Sequence, residues 1–322
     1  FTPIMASLGI RVPKTCSRAI SSAAGTADVM ELFCPVALSA KKMKAVVDKV
    51  GGCLVWGGAV NMAAADDKLI QIRHPLHLDP HPLLLSSILA KKKAEGAEYV
   101  LLDIPTGPGA KVRETEEARA LAKQFTALAA HLGLKLEVTI TDGSEPLMPF
   151  IGPALEARAV LQTLEGKHWN DLAEKTCQLC GISLSMLRGV GADEGYRMAR
   201  QRLEGGQALK KFHEIVAAQG GKPGVRSDDI TLGAFVKTVR AHEGGTVSHI
   251  DNRKISRLAR ALGAPEDKQG GIHLLAMKGD QIQKGQPLFD LYASNREKLA
   301  LGVAEAKKNI PVHVGKFVLD VV

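Results

Sequence analysis

Apolar and polar positions along the chain follow two periods. "GCLVWGGAV" (52–60), "AEYVLLDIP" (97–105) and "LKLEVTITD" (134–142) are short apolar runs that contain or close on Gly, Pro or Asp. Such runs predict buried strands. The segments "SAKKMKAVVDKV" (39–50), "HPLLLSSILAKKKAE" (81–95) and "ETEEARALAKQFTALAAHL" (114–132) instead repeat apolar residues at helical spacing. Alternation of strand and helix predicts an α/β fold with a largely parallel sheet, with functional loops at the carboxyl ends of its strands. Residues 153–166, 169–180 and 194–218 read as further helices, the last stopped by Gly220 and Gly221. Past about residue 226 short strands and Gly turns take over. They predict a separate, mostly β domain over 226–322, with one helix near 252–262 and a tight turn at Lys278-Gly279-Asp280.

Composition narrows the picture. No apolar run reaches the roughly 18–20 residues of a membrane span. The opening "FTPIMASLGIRVPKT" has no initiator methionine, basic n-region or cleavage site. It reads as the middle of a helix turning into a strand, so the natural protein is expected to extend N-terminally of Phe1. The five cysteines, Cys16, Cys34, Cys53, Cys177 and Cys180, are odd in number and scattered, as in a reduced cytoplasmic protein. "CQLC" (177–180) lies in an amphipathic helical stretch without a second Cys or His pair at zinc spacing, which favours a structural role. Net charge is +8 but aromatics are only 4%, and no nucleic-acid motif is present. The basic surplus suits phosphate-bearing substrates.

Four stretches could carry chemistry. In "KTCSRAISSAAGTAD" (14–28) small residues let a ligand approach the backbone, hydroxyls can donate to phosphate or ribose oxygens, and a helix starts at Thr26. The competing explanation is a tight helix–helix contact. "RHPLHLDPHPLLLSSILAKK" (73–92) holds Asp79 before a helix, with Ser87 and Lys91 four apart on one helix face. Here a plain N-cap and a solvated lysine run are the alternatives. "DIPTGPGAKVR" (103–113) is a Gly-rich turn with Lys111 after a strand ending near Asp103, without the spacing of a Walker A or dinucleotide loop. "TDGSEPLMPFIGPALEARAV" (141–160) holds Asp142, Glu145 and Glu156, which turn chemistry and an amphipathic helix also explain.

Together "VPKT", "SRAISSAAGTADVMEL", "GGCLVWGGAVNMAAADD", "SILAKKKAEGA", "DIPTGPGAKVR", "ITDGSEP", "GPALEAR", "GGQALKKFHEIVAAQGG" and "MKGDQIQKGQPLFDLYA" resemble the thymidine and pyrimidine-nucleoside phosphorylases, in order over nearly the whole chain. The nearest branch is the one that includes the archaeal AMP phosphorylases and bacterial proteins labelled thymidine phosphorylase. The resemblance implies a two-lobe phosphorylase architecture: an α/β domain with a mixed or parallel sheet (1–62 and 98–225), the remainder of a small helical lobe (63–97) and a C-terminal mostly-β (α+β) domain (226–322). The N-terminal part of the family fold, with its Lys-His/Ser-Gly-Gly phosphate loop, is missing from the chain, which then carries only part of the phosphate site. The implied reaction is reversible phosphorolysis, read first as thymidine plus phosphate giving thymine and 2-deoxyribose 1-phosphate. The alternative is a nucleoside 5′-monophosphate giving ribose 1,5-bisphosphate.

Carried over residue by residue, the resemblance makes Asp79 the proton donor. It makes Ser17, Arg18, Ala19, Ile20, Ser21, Ser22, Thr26, Ser87 and Lys111 substrate-binding, with Arg73 and Lys91 added by the thymidine phosphorylase pattern. Phosphate is then the co-substrate, no cofactor or metal is expected, and the partner is a second copy in a cytoplasmic homodimer, with neither nucleic acid nor membrane. Cys16 stands where relatives tend to offer Ser, which raises the question whether Ser17 replaces it. Ala159 stands where some relatives hold a monovalent cation with an acidic side chain. An inactive nucleotide-binding relative is a further alternative. A phosphoribosyltransferase is weakly supported, because the pairs Asp66-Asp67 and Glu116-Glu117 close no predicted strand.

Overall fold

A computed structural model describes residues 1–20, 22–60 and 81–315. Helix α1 (Thr2–Ser7) leads into β1 (Val12–Cys16), and α2 (Thr26–Met30) and α3 (Ala40–Val50) lead into β2 (Gly52–Trp56). The periodic segment of α3 folds as its pattern dictates. Ser39 caps it by accepting the Lys42 N–H (3.3 Å), and Met43, Val46 and Val47 turn inward. A short helix, α4 (Gly57–Val60), follows β2 directly. After the undescribed stretch come α5 (His81–Ala94), β3 (Tyr99–Thr106), α6 (Thr115–His131) and β4 (Lys135–Asp142). Ala118, Leu121, Phe125 and Ala129 form the buried stripe of α6 and pack with Val100, Ile104 and Leu134.

The strands pair in parallel, as the alternation requires, but as two two-stranded units among the described residues. β1 runs with β2, Val12 opposite Gly52 and Cys16 opposite Trp56. β3 runs with β4, Tyr99 opposite Lys135 and Thr106 opposite Asp142. The carboxyl ends therefore deliver the segments beginning at residues 17, 57, 107 and 143. Strand β3 continues three residues beyond Asp103, which sits in mid-strand rather than at the strand end.

Helices α7 (Pro153–Leu164), α8 (Asp171–Arg188), α9 (Ala192–Glu204) and α10 (Gln207–Gln219) form a bundle with α1 and α2 around Leu161, Leu184, Ala199 and Phe212. The continuous helix expected over 194–218 is two helices. Gly206 adopts φ +77°, a conformation only glycine takes cheaply, and it turns the chain between α9 and α10. Cys177 and Cys180 are both buried in this core as free thiols, and burial pushes them up to about 11 and about 12. At the end of α10 the buried Gln219 bonds both Leu54 of β2 and the 34–35 segment.

The chain then builds its strand-rich part. β6 (Phe235–Arg240), β8 (Gly271–Leu274) and β10 (Pro287–Ala293) form an antiparallel sheet in the order β5-β8-β10-β6, where β5 is Phe150–Ile151 from the segment before α7. β7 (Gly245–Ile250), β9 (Gln281–Ile282) and β11 (Val312–Gly315) form a second sheet, in the order β11-β7-β9. Alternation along β10 buries Phe289, Leu291 and Ala293. The expected helix is α11 (Asn252–Ala261), capped by Asp251, which accepts from Arg253 and Lys254 N–H at 2.9 and 3.0 Å. A second helix, α12 (Arg296–Lys308), corrects the one-helix expectation; its Asn295 cap accepts the Lys298 N–H at 2.9 Å. The turn at Lys278-Gly279-Asp280 is present, closed by the Asp280 N–H on the Met277 carbonyl at 3.1 Å.

Candidate active site

The loop after β1 is shaped by a carboxylate rather than by its own small residues alone. Asp28, in the first turn of α2, is 3% exposed. It accepts the N–H of Ala19 at 2.7 Å and of Gly25 at 3.0 Å. Gly25 is required by close approach: a Cβ there would lie 2.5 Å from backbone atoms of Ser17, Arg18 and Ala19. Burial pushes the Asp28 carboxyl up, but the two N–H donors and the Lys268 ammonium at 3.4 Å outweigh it and hold it below the ordinary range. Sequence reading missed Asp28, although an acid three residues after a small N-cap residue is a readable helix-start signal.

This frame decides where the expected binding residues point. Ser17, Ser22 and Thr26 are exposed, Thr26 at the start of α2. The Cys16 thiol instead turns to β2 and donates to the Val55 carbonyl at 3.2 Å, and burial pushes it up to about 11. Ser17 is thus the first exposed hydroxyl of the loop. The Arg18 guanidinium is committed to Asp28 (3.2 Å) and Glu31 (2.8 Å) and lies 4.9 Å from the Trp56 ring centre. The Ala19 N–H is taken by Asp28, and the Ile20 side chain is 52% exposed. Ser87 is buried on α5, Lys91 is half-buried one turn on, and Lys111 is exposed in the loop after β3. Ser21, Arg73 and Asp79 lie outside the described residues, as do Asp66 and Asp67.

Among the described residues, the loops after β4 and β1 are hydrogen-bonded to the strand-rich part of the chain. After β4, Glu145 accepts from His249 Nδ1 and from the Ile250 N–H, both at 2.9 Å, while Asn252 donates to the carbonyls of Gly143 (3.2 Å) and Ser144 (3.3 Å). After β1, the Arg260 guanidinium donates to the carbonyls of Ile20 and Ser22. Asp103 makes a further polar knot. Its carboxylate accepts from Thr139 (3.1 Å) and Thr141 (2.8 Å) and pairs with Lys175 of α8 at 2.9 Å.

A cleft of about 1390 Å³ runs between β1 and β3, bordered by Val12, Lys14, Thr26, Tyr99 and Leu101 among others. Of the described residues expected to bind substrate, only Thr26 borders this cleft, whose walls are mostly apolar, so the exposed loop hydroxyls define the candidate site better than this cleft does.

Glu156, in the first turn of α7, accepts the Gly152 N–H at 3.0 Å. Burial pushes its carboxyl up to about 7, with the Asp28 charge adding to the effect and the Gly152 N–H opposing it. A carboxyl raised on folding contributes its full stability below the unfolded value of 4.5 and loses it as pH rises through about 7. Gln keeps the acceptor for Gly152 and carries no charge. Glu156→Gln is therefore expected to match the wild type near pH 4.5 and to exceed it by about 1–2 kcal/mol at pH 8. Urea denaturation of both proteins across this range checks the trend, and a difference independent of pH refutes it.

Two family models match the chain: the Glycosyl transferase family a/b domain over residues 1–209, and the Pyrimidine nucleoside phosphorylase C-terminal domain over residues 246–313. The chain belongs to this family of glycosyl transferases, in the pyrimidine nucleoside phosphorylase branch that includes the AMP phosphorylases. It is 46% identical over 321 residues to the AMP phosphorylase of Pyrococcus furiosus, an alignment covering 99% of this chain and 64% of that protein. Against the AMP phosphorylase of Methanococcoides burtonii it is 44% identical over 321 residues, covering 99% and 63% of the two chains. The chain thus spans 62–64% of the length of the curated relatives it matches. None of the described helices is long and apolar enough to cross a membrane.

Proposed function

We propose that the protein is a pentosyltransferase that cleaves nucleoside 5′-monophosphates with inorganic phosphate, releasing the base and ribose 1,5-bisphosphate. The observation that carries this reading is 43–46% identity, over 97–99% of the chain, to proteins named AMP phosphorylase. It favours the 5′-monophosphate over thymidine, which the family resemblance alone left open. The exposed hydroxyls of Ser17, Ser22 and Thr26 and the net charge of +8 support an anionic substrate.

In this reading phosphate oxygen attacks the anomeric carbon as the glycosidic C–N bond breaks, and the electron pair of that bond leaves on the base. The ribosyl group passes through an oxocarbenium-like state. Asp79 delivers the proton that neutralises the departing base. The loop 17–22, with Thr26, Ser87 and Lys111, holds phosphate groups and ribose, so that the attack is a matter of positioning and electrostatics. Arg73 and Lys91 stand beside the base in the thymidine-type alternative. Because the guanidinium of Arg18 and the N–H of Ala19 are bonded internally, their part is to hold the loop. Assembly as a homodimer through the helical lobe belongs to the same proposal.

The test is phosphorolysis of AMP, CMP, thymidine and uridine by the full natural protein, read as base release and sugar-phosphate formation. AMP and CMP are expected to be cleaved well ahead of the two nucleosides. Preference for thymidine overturns the nucleotide reading, and turnover of none of the four overturns the enzyme reading.

A further inference from the structure

The loop after β1 is gripped from two directions. On the α/β side, the single carboxylate of Asp28 bonds the N–H groups of Ala19 and Gly25 and so fixes both ends of the 19–25 segment. On the other side, Arg260 of α11 donates to the Ile20 carbonyl and, at 3.3 Å, to the Ser22 carbonyl, while Ala23 is buried within the core of the strand-rich part. Lys268 joins the two grips, lying 3.4 Å from Asp28 and 3.2 Å from Glu31. Asp28 and Glu31 are each paired with Arg18 and Lys268. Between the grips Ser17, Ser22 and Thr26 remain exposed.

We propose that Asp28 and Arg260 are positioning residues that together hold this loop in the shape that binds a phosphate-bearing substrate, so that the C-terminal part of the chain contributes directly to the geometry of the site. The inference rests on the function proposed above. Neither side chain needs to touch the substrate. Each acts through backbone groups of the loop, and a displacement of about 1 Å in a positioning element can cost up to about 10²-fold in rate.

Three variants of the full natural protein test it: Asp28→Asn, Arg260→Ala and Arg260→Lys. One carboxylate oxygen accepts both N–H groups and the other faces Arg18 and Lys268, so an Asn that keeps its oxygen toward the loop turns its NH₂ onto the two cations, and the reverse orientation loses both loop bonds. Arg260 is exposed, so its removal is expected to leave the core packing intact. Arg260→Ala is expected to raise KM for phosphate and AMP about 10-fold with a smaller fall in kcat, and Arg260→Lys to recover part of that loss. Asp28→Asn is expected to raise KM by about 10- to 100-fold. In Asp28→Asn and Arg260→Ala, amide hydrogen exchange should speed up in residues 17–25 while the α7 core, around Leu161, keeps wild-type protection. KM values within two-fold of wild type in both variants overturn the proposal, as does faster exchange spread through the whole chain. If the wild type cleaves no nucleotide, the functional reading fails on its own. The clamp is then judged by exchange and by calorimetric binding of inorganic phosphate: faster loop exchange with unchanged phosphate affinity overturns it.

Discussion

Replacing Asp79 with Asn is expected to lower turnover of the nucleotide by about 10²–10⁴-fold, the range in which a positioned general acid contributes. The substitution separates two roles that the sequence allows. In the sequence Asp79 stands just before Pro80 and the helix described from His81 onward, a position that fits a helix cap as well as a proton donor. Asn caps as well as Asp does, since its side-chain oxygen accepts the same backbone N–H, but it has no proton to give at neutral pH. If Asp79 is only a cap, Asp79→Asn changes neither kcat nor thermal stability appreciably, whereas Asp79→Ala costs about 0.5–2 kcal/mol of stability. If Asp79 is the acid, Asp79→Asn collapses kcat while the melting temperature stays put. Nucleotide affinity, measured by calorimetry, should change far less than kcat, because protonation of the leaving base occurs only in the transition state. A kcat within about five-fold of wild type, in a variant that still binds AMP, would return Asp79 to a capping role.

Periodicity carried the architecture wherever one element faces one core. The stripe Ala118, Leu121, Phe125 and Ala129 predicts both the helix and its buried face, and the apolar runs at 97–105 and 134–142 become β3 and β4 in parallel register. Sequence failed where a glycine pair or a distant contact decides. The helical period runs on across Gly205 and Gly206 and outweighs the stop signal of the glycine pair, yet Gly206 takes a left-handed conformation and splits the helix. Helix α12 was hidden because its burial is shallow: of its thirteen residues only Gly302 and Ala306 are buried, so its apolar periodicity is faint. The site divides in the same way. The small, hydroxylated loop at 17–26 is legible because composition alone marks it. That Arg18 faces inward, that Cys16 bonds β2, and that Arg260 reaches back over 238 and 240 residues to Ser22 and Ile20 are tertiary facts with no local signature.

Gln219 is the sharpest case of such a residue, and Gln219→Ala is expected to destabilise the protein by about 3–5 kcal/mol. In a parallel pair, alternate residues of each strand turn their N–H and C=O away from the partner, and these must find other partners when buried. Leu54 is such a residue on the edge of β2 away from β1. The Gln219 carboxamide serves it as a neighbouring strand would, accepting the Leu54 N–H at 2.8 Å and donating to the Leu54 carbonyl at 3.1 Å. The same NH₂ donates to the Pro35 carbonyl at 3.1 Å and contacts the Cys34 sulfur at 3.2 Å. Gln219 itself is 0% exposed, so its loss strands one donor and two acceptors where water does not reach. At about 1–3 kcal/mol for each unsatisfied group, and with some relaxation, a total of about 3–5 kcal/mol follows. Gln219→Glu should be nearly as costly although it is almost isosteric, because an ionised carboxylate accepts from Leu54 but cannot donate to either carbonyl. Gln219→Met, which restores volume without hydrogen bonds, should recover only the packing share. Urea denaturation of the three variants separates the terms. A loss below about 1 kcal/mol in Gln219→Ala would mean that β2 finds another partner for Leu54. Equal losses in Gln219→Ala and Gln219→Met would assign the whole effect to hydrogen bonding, and would make the edge of β2, rather than the packing of α10, the point at which the helical bundle stabilises the partner of β1, the strand leading into the candidate site.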